Sequence, residues 1–333
     1  MPKTRERRVL VTGGAGYIGS NTTLALLEAG YAVVVLDDFS TGCRSDLPPD
    51  AIFIEGNIAD GPLVADILAQ HGIDAVVHFA GSIRVEESVS DPLKYYRNNT
   101  CASRAFIESC VAGGVKSFIF SSTAAAYGDF GAGPIGEDAP VGPINPYGWS
   151  KVMTEQILRD VAGSVPGRLG VGILRYFNVA GADPHGRAGQ RTEIATHLIK
   201  VACEVATGKR PRMQIFGADY PTPDGTCIRD YIHVSDLADA HVRVLGHLSD
   251  KPVVEVMNCG YGHGYSVKEV LAAVEAVSGR KIDAPVAARR PGDCAVLVAD
   301  STRLRQRTGW RPRYDDLATI VRTALEWEKK IAR

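Results

Sequence analysis

The sequence predicts an α/β protein built on a doubly wound parallel sheet, with a smaller, mixed C-terminal domain. Three observations predict it. Short apolar runs alternate with helical patterns through the first 180 residues, a glycine-rich turn follows the first run, and beyond about residue 180 the alternation weakens as Gly, Pro and Asp gather. Strands buried on both faces read as continuous apolar runs, and a β-α alternation puts the helices on both sides of a parallel sheet.

The elements follow in order. RRVLVTG, AVVVLDD, AIFIEGN, AVVHFAG, KSFIFSS and GVGILRYFN are the six strand candidates, each bounded by turn residues. YIGSNTTLALLEAGY stops at Gly30, and DPLKYYRNNTCASRAFIESCVAGG stops at Gly113-Gly114, as helices commonly end. In PINPYGWSK, Asn145 is a good N-cap and Pro146 suits the first helical position, so a helix runs from there to about Gly163. Beyond residue 180, DPHGRAGQ and GADYPTPDGTCIRDY flank one helical run, TEIATHLIKVACEVATG. HVSDLADAHVRVLGHL reads as a helix and VVEVMNCG as a strand, so the chain is expected to return to its first domain near 232–260. Helices over SVKEVLAAVEAVSG and LATIVRTALEWEKKI close it. The expected division is 1–180 with that return segment, and 181–333 as mainly a second, substrate-facing domain.

Composition narrows the class. With 333 residues, 45% of them hydrophobic and 23% charged, the chain can bury a large core. A net charge of −1 without a basic stripe gives no polyanion footprint, so no nucleic-acid partner is expected, and the basic start KTRERR is too short to be one. The apolar run after it ends at Thr12-Gly13-Gly14, short of a signal core, and no segment approaches a membrane span. Seven scattered cysteines without C-x-x-C spacing fit reduced thiols in a cytoplasm.

Chemistry enters at VLVTGGAGYIGS, where Gly14-x-Gly16-x-x-Gly19 overlaps Gly13-x-x-Gly16-x-x-Gly19 at a strand-to-helix junction. Such glycines admit a pyrophosphate close to the backbone, and the helix N-terminus receives its charge. Asp37-Asp38 end the second strand about 20 residues on, where a carboxylate bonds ribose hydroxyls and repels a 2′-phosphate. Arg44 is the nearest following cation. This order is the dinucleotide-binding (Rossmann) pattern, and it favours NAD. Tyr147 and Lys151 stand four apart on the predicted helix and so share one face. The spacing permits cooperation without demanding it, since a lysine stem often just covers such a ring.

Together, VTGGAGYIGS, HFAG, FSSTAAAYG, NPYGWSK, LRYFNVAGADP, YPTPDGTCIRDYIHV and RRPGD resemble, over nearly the whole chain, the extended, sugar-nucleotide-modifying branch of the short-chain dehydrogenase/reductase superfamily. The likeness is to its UDP-sugar 4-epimerases. It implies NAD-dependent interconversion of UDP-glucose and UDP-galactose through a transient 4-keto sugar, in a cytoplasmic homodimer paired through helices including DPLKYYRNN and VMTEQILRD. It implies Tyr147 as base, Lys151 tuning it and Thr123 orienting the 4-hydroxyl. A free phenol near pKa ~10 is a poor base at neutral pH, so the Lys151 ammonium and the positive nicotinamide are expected to lower it by about three units, on the order of 4 kcal/mol.

The same resemblance places the cofactor against Gly13, Gly16, Tyr17, Ile18 and Gly19, with Asp37, Asp38, Asn57 and Ile58 at the ribose and adenine end. Phe79, Ala80, Asn98, Ser121 and Tyr176 join Tyr147 and Lys151 toward the nicotinamide. On the substrate side it places Asn178, His197, Leu198 and Leu297, with Arg229 and Arg290 for the diphosphate and Asp293 for a ribose hydroxyl. No metal is implied.

The chain departs from the pattern in four places. Asn57 replaces an Asp, though its amide oxygen can still accept a hydrogen bond. After HFAG, Ile83 stands where a Lys is common and Arg84 comes one later. His197 replaces an Asn, and Leu297 occupies a position whose bulk sets the sugar range. The UDP-xylose/UDP-arabinose and UDP-N-acetylhexosamine 4-epimerases therefore stay open as alternatives. A sugar-nucleotide dehydratase would need acids where Ala124-Ala125 follow Thr123, and a non-catalytic NAD sensor would not need Thr123, Tyr147 and Lys151.

Overall fold

The computed structural model describes residues 7–129, 133–192, 194–290 and 293–332. Most of the KTRERR start and the Pro291-Gly292 pair of RRPGD lie outside the described residues.

Seven parallel strands form the central sheet: β1 (Arg8–Thr12), β2 (Ala32–Asp37), β3 (Ile52–Glu55), β4 (Ala75–His78), β5 (Ser117–Thr123), β6 (Gly170–Tyr176) and β7 (Val254–Cys259). Their order is β7-β6-β5-β4-β1-β2-β3, so the direction of winding reverses between β1 and β4. A crevice opens at the carboxyl ends of the strands at such a reversal. The last of these strands, β7, pairs with β6 from Val254↔Val171 to Cys259↔Tyr176.

The eight main helices are α1 (Tyr17–Glu28), α2 (Gly61–His71), α3 (Ala102–Ala112), α4 (Pro146–Ser164), α5 (Leu198–Ala206), α6 (Val234–Asp250), α7 (Val267–Ser278) and α8 (Leu317–Ile331). Because successive strand residues face opposite ways, the apolar runs feed two cores. Val9, Val11, Val33, Val35 and Val77 pack under α1 and α6, against Leu26, Leu237 and Val244. Leu10, Val34, Val76, Phe118 and Phe120 face α2, α3 and α4, against Ile67, Phe106 and Leu158.

Two helical expectations change in detail. The helix expected over 91–114 winds α over Pro92–Tyr95, widens to π over Tyr96–Cys101 and resumes as α3. The helix expected over 192–208 starts only at Leu198, since His197 is its extended N-cap. Upstream carbonyls are taken by tertiary donors instead: Trp327 Nε1 bonds Gln190 O at 3.2 Å and Arg210 Nη2 bonds Ala195 O at 3.3 Å.

The smaller C-terminal region is mixed, as expected. Ile228–Arg229 runs antiparallel to Tyr265–Ser266 and parallel to Val296–Ala299, which in turn pairs with Pro134–Ile135. Helices α5, α7 and α8 pack on one another beside it. Among the described residues, no helix is long and apolar enough to cross a membrane.

Candidate active site

The glycine turn sits at the reversal between β1 and β4. A Cβ on Gly19 would lie 2.2 Å from Gly13 O, so the first turn of α1 rests directly on the loop backbone. No side chain caps α1 at Gly16, which leaves its first N–H groups for an anion. These residues fit a dinucleotide pyrophosphate. Asp37 accepts from Ala15 N at 2.9 Å and Phe39 N at 2.8 Å, holding the loop while keeping a second lone pair on each oxygen. Asp38 is exposed and accepts from Asn57 Nδ2 at 2.9 Å, while Asn57 Oδ1 accepts from Ala59 N and Ile58 is buried behind it. Arg44 lies over the Phe53 and Phe39 rings, 4.7 and 5.5 Å from their centroids.

Across the crevice, Phe79 N bonds Thr12 O at 2.9 Å, and its ring packs on His241 at 5.0 Å. His241 Nδ1 faces Leu237 O at 2.8 Å, which makes that nitrogen the donor and Nε2 the acceptor. Tyr176 then donates to Nε2 at 2.5 Å, and its ring direction is fixed. Asn98 bonds Ser82 Oγ at 3.2 Å, and the buried Asn99 holds Ser82 N and O at 2.7 and 2.9 Å. Tyr17 reaches the other way, donating to Gly181 O at 2.6 Å, with Ile18 partly buried against the core.

Helix α4 starts as its sequence dictates: Asn145 Oδ1 accepts from Gly148 N at 2.8 Å and Pro146 occupies the first turn. Gly148 lets that turn press on the end of β5, since a Cβ there would stand 2.8 Å from Ala125 O. Tyr147, Lys151 and Thr123 are thereby brought to one edge of the sheet. The Tyr147 ring meets Tyr95 edge-on at 6.3 Å. Lys151 Nζ, 3% exposed as a residue, donates to Ser121 O at 2.9 Å and lies 5.0 Å above the Phe120 ring. Burial pushes the Lys151 ammonium down to about 8. Burial also holds the Tyr147 phenol above its ordinary value, while a hydrogen bond with Thr123 draws it back. Desolvation penalises the phenolate, so the fall expected from sequence rests on the charges of the Lys151 ammonium and a bound nicotinamide.

On the opposite wall, Asn178, His197 and Leu198 line one cleft with Gln190, Tyr231 and Trp327. Gln190 Nε2 contacts His197 Nδ1 at 2.9 Å, and burial lowers this imidazole's pKa. Arg229 and Arg290 converge on Asp293, at 3.6 and 3.0 Å, so the two cations and this carboxylate form one cluster. Arg290 also lies over the Phe216 ring at 4.8 Å and 3.6 Å from Glu86. Leu297 is the strand partner of Arg229. Ile83 is exposed, and Arg84 turns toward Glu87 at 3.9 Å.

Five buried residues, Glu155, Ser122, Arg175, Asn99 and His241, were not singled out from sequence. Glu155 accepts from Ser122 Oγ at 2.5 Å and from Arg175 Nε and Nη2 at 3.0 and 2.6 Å. Asn99 and His241 hold the loop and ring described above. Glu155 alone had a readable signal, as the next i+4 position after Tyr147 and Lys151. Among the described residues, no group of three His, Cys, Asp or Glu side chains is arranged to hold a metal ion.

The chain is similar to known proteins over nearly its whole length. The profile of the NAD dependent epimerase/dehydratase family matches residues 9–260. A UDP-glucose 4-epimerase of Azospirillum brasilense is 56% identical over 324 residues, covering 97% of this chain and 92% of its own. The crystal structure of UDP-glucose 4-epimerase from Bifidobacterium longum, in complex with NAD+ and UDP, superposes with a TM-score of 0.92 at 40% identity, covering 97% of this chain and 98% of that one. A UDP-glucose 4-epimerase from Stenotrophomonas maltophila, with bound NAD and formylated UDP-arabinopyranose, gives 0.94 at 37% identity, covering 98% and 99%. With a glycine cradle, a strand-end threonine and a Tyr-x-x-x-Lys helix on one sheet edge, the chain belongs to the NAD dependent epimerase/dehydratase family.

Proposed function

We propose that this protein interconverts UDP-glucose and UDP-galactose with NAD as a resident cofactor. The observation that carries the reading is the convergence of Thr123, Tyr147 and Lys151 at the end of β5, across the crevice from the glycine cradle. Bound NAD supplies the hydride acceptor for C4 of the hexose and gives the same hydride back, so none need be added. Tyr147 takes the C4 hydroxyl proton as that carbon becomes a ketone, and returns it when the hydroxyl reforms. Thr123 holds the hydroxyl in line, and the Lys151 charge favours the phenolate. Arg229 and Arg290 grip the diphosphate while the 4-keto sugar turns over, so that the other face of C4 would take the returning hydride.

The cofactor is proposed to lie on residues 1–180 with the 232–260 return, and the nucleotide-sugar mainly on 181–333. Leu297 beside Arg229 is the proposed gauge of sugar size. The apolar residues Val89 and Leu93, 65% and 75% exposed, and Trp149 and Met153, 41% and 42%, lie on or beside the segments expected to pair two copies, which supports a homodimer. Its seven cysteines are all free thiols, in keeping with the cytoplasm.

The test is to incubate the purified protein, without added NAD, with UDP-galactose, UDP-N-acetylgalactosamine and UDP-xylose, and to identify products by NMR. Conversion of UDP-galactose to UDP-glucose is expected. Conversion of the pentose alone, or of none, would overturn the reading.

A further inference from the structure

Tyr147, Lys151 and Glu155 follow one another at i, i+4 and i+8 on α4, and each meets one of the last three residues of β5. Tyr147 meets Thr123, Lys151 Nζ bonds Ser121 O at 2.9 Å, and Glu155 takes the Ser122 hydroxyl at 2.5 Å. The other contacts of the Glu155 carboxylate go to β6, where Arg175 grips both its oxygens. Arg175 stands directly opposite Ser122 in register on one side and opposite Asn258 of β7 on the other.

Ser122, Arg175 and Asn258 therefore form one row across three strands, and the next row, Thr123, Tyr176 and Cys259, contains the two residues assigned to the reacting site. Tyr127 closes the row by stacking under Arg175 at 4.7 Å and donating to Asn258 Oδ1 at 2.6 Å. Such a pair, 2% and 3% exposed at Arg175 and Glu155, is poor evidence for stability, since apolar side chains of equal volume commonly do as well. What it supplies is a fixed distance.

We infer that Glu155 is a positioning residue, which sets the reacting row of β5 and β6 against α4, with Ser122 as its handle on β5 and Arg175 as its counter-charge on β6. Glu155 touches neither substrate nor cofactor in this assignment, and acts through Ser122 on Thr123 and through Arg175 on Tyr176. The inference rests on the roles proposed above for Thr123 and Tyr147. A slack of about 0.5 Å at such a pair is enough to lower the chemical step while leaving binding intact.

The test uses Ser122→Ala in the holoenzyme, which removes the handle and leaves the buried ion pair whole. Thr154→Ala is its control, because Thr154 Oγ1 gives a buried hydrogen bond of the same helix to Asn99 O at 2.9 Å without touching β5. Ser122→Ala is expected to lower kcat for UDP-galactose about tenfold, with KM and bound NAD within about twofold of wild type. Its crystal structure is expected to show the Thr123 to Tyr147 separation lengthened, and Thr154→Ala to change neither. Wild-type kcat in Ser122→Ala, an unchanged separation, or an equal loss in Thr154→Ala would each overturn the inference. Should the wild-type enzyme turn over no UDP-galactose, the proposed function fails, and the crystallographic comparison still decides this one.

Discussion

Lys151 Nζ donates to the carbonyl of Ser121 at 2.9 Å, so the lysine is committed to the strand behind the phenol and does not simply cover the Tyr147 ring. That placement costs stability. The folded pKa of Lys151 lies at about 8, below its usual 10.5, so between these values the unfolded chain keeps a proton that the folded chain has shed. Stability attributable to this group therefore rises with pH from about 8 to 10.5 and is lowest below 8, where the penalty is on the order of 3 kcal/mol. Lys151→Met, in cofactor-free protein, should raise the unfolding free energy at pH 7, read from the urea midpoint, by about 1–2 kcal/mol after loss of the hydrogen bond, and the gain should shrink near pH 10. A midpoint at pH 7 equal to or below wild type would show that the lysine is not strained.

The glycine cradle gives a graded prediction. A Cβ on Gly19 would stand 2.2 Å from Gly13 O, against 3.2 Å for one on Gly16. Gly19→Ala should cost about 2–4 kcal/mol and lose bound NAD, whereas Gly16→Ala should fold within about 1 kcal/mol of wild type. Thermal unfolding together with the absorbance of released cofactor measures both, and equal behaviour of the two variants would contradict the geometry.

Removing one half of the ion pair at Arg175 leaves the other charge buried. Glu155→Leu should therefore destabilise by about 3–5 kcal/mol, and Glu155→Leu with Arg175→Met should recover most of that loss. Urea denaturation of the two singles and the double closes the cycle. A double variant as unstable as the sum of the singles would show that the charges do not act as a pair.

Acid should act through imidazoles that burial holds neutral, the partly buried His197 and three fully buried ones. Burial pushes His78 down to about 3, and His233 and His241 down to about 4, and all three are fully buried. Below pH ~6.5 the unfolded chain gains protons that these groups refuse, so stability falls as pH drops from there toward 4. The buried carboxyls of Asp230 and Asp236, raised by desolvation, offset part of this loss. Urea midpoints at pH 7, 6 and 5 should fall progressively, and His78→Gln should lessen the slope by about one proton. A flat profile would mean that these imidazoles are not held neutral.

Much of this architecture was legible because the signals were local. The six apolar runs, the caps at Asn145 and Pro146, and the i+4 pair on α4 each depend on neighbours in sequence. What escaped was set at long range. Ahead of the late start of α5, Trp327 and Arg210 donate to the carbonyls of Gln190 and Ala195, and no pattern within 192–208 encodes those long-range partners. The handle at Ser122 needs Glu155 and Arg175, 33 residues on and directly opposite, and becomes visible only when the sheet register is known. The opposing push of burial on the Tyr147 phenol was likewise not legible, since desolvation depends on everything packed around it.

The central claim is that Tyr147 moves the proton at C4. Its most direct test is turnover of UDP-galactose without added NAD by Tyr147→Phe beside wild type, with bound NAD measured in both. A loss of at least about a thousandfold in kcat with NAD retained is predicted. Turnover at the wild-type rate in Tyr147→Phe would contradict the account.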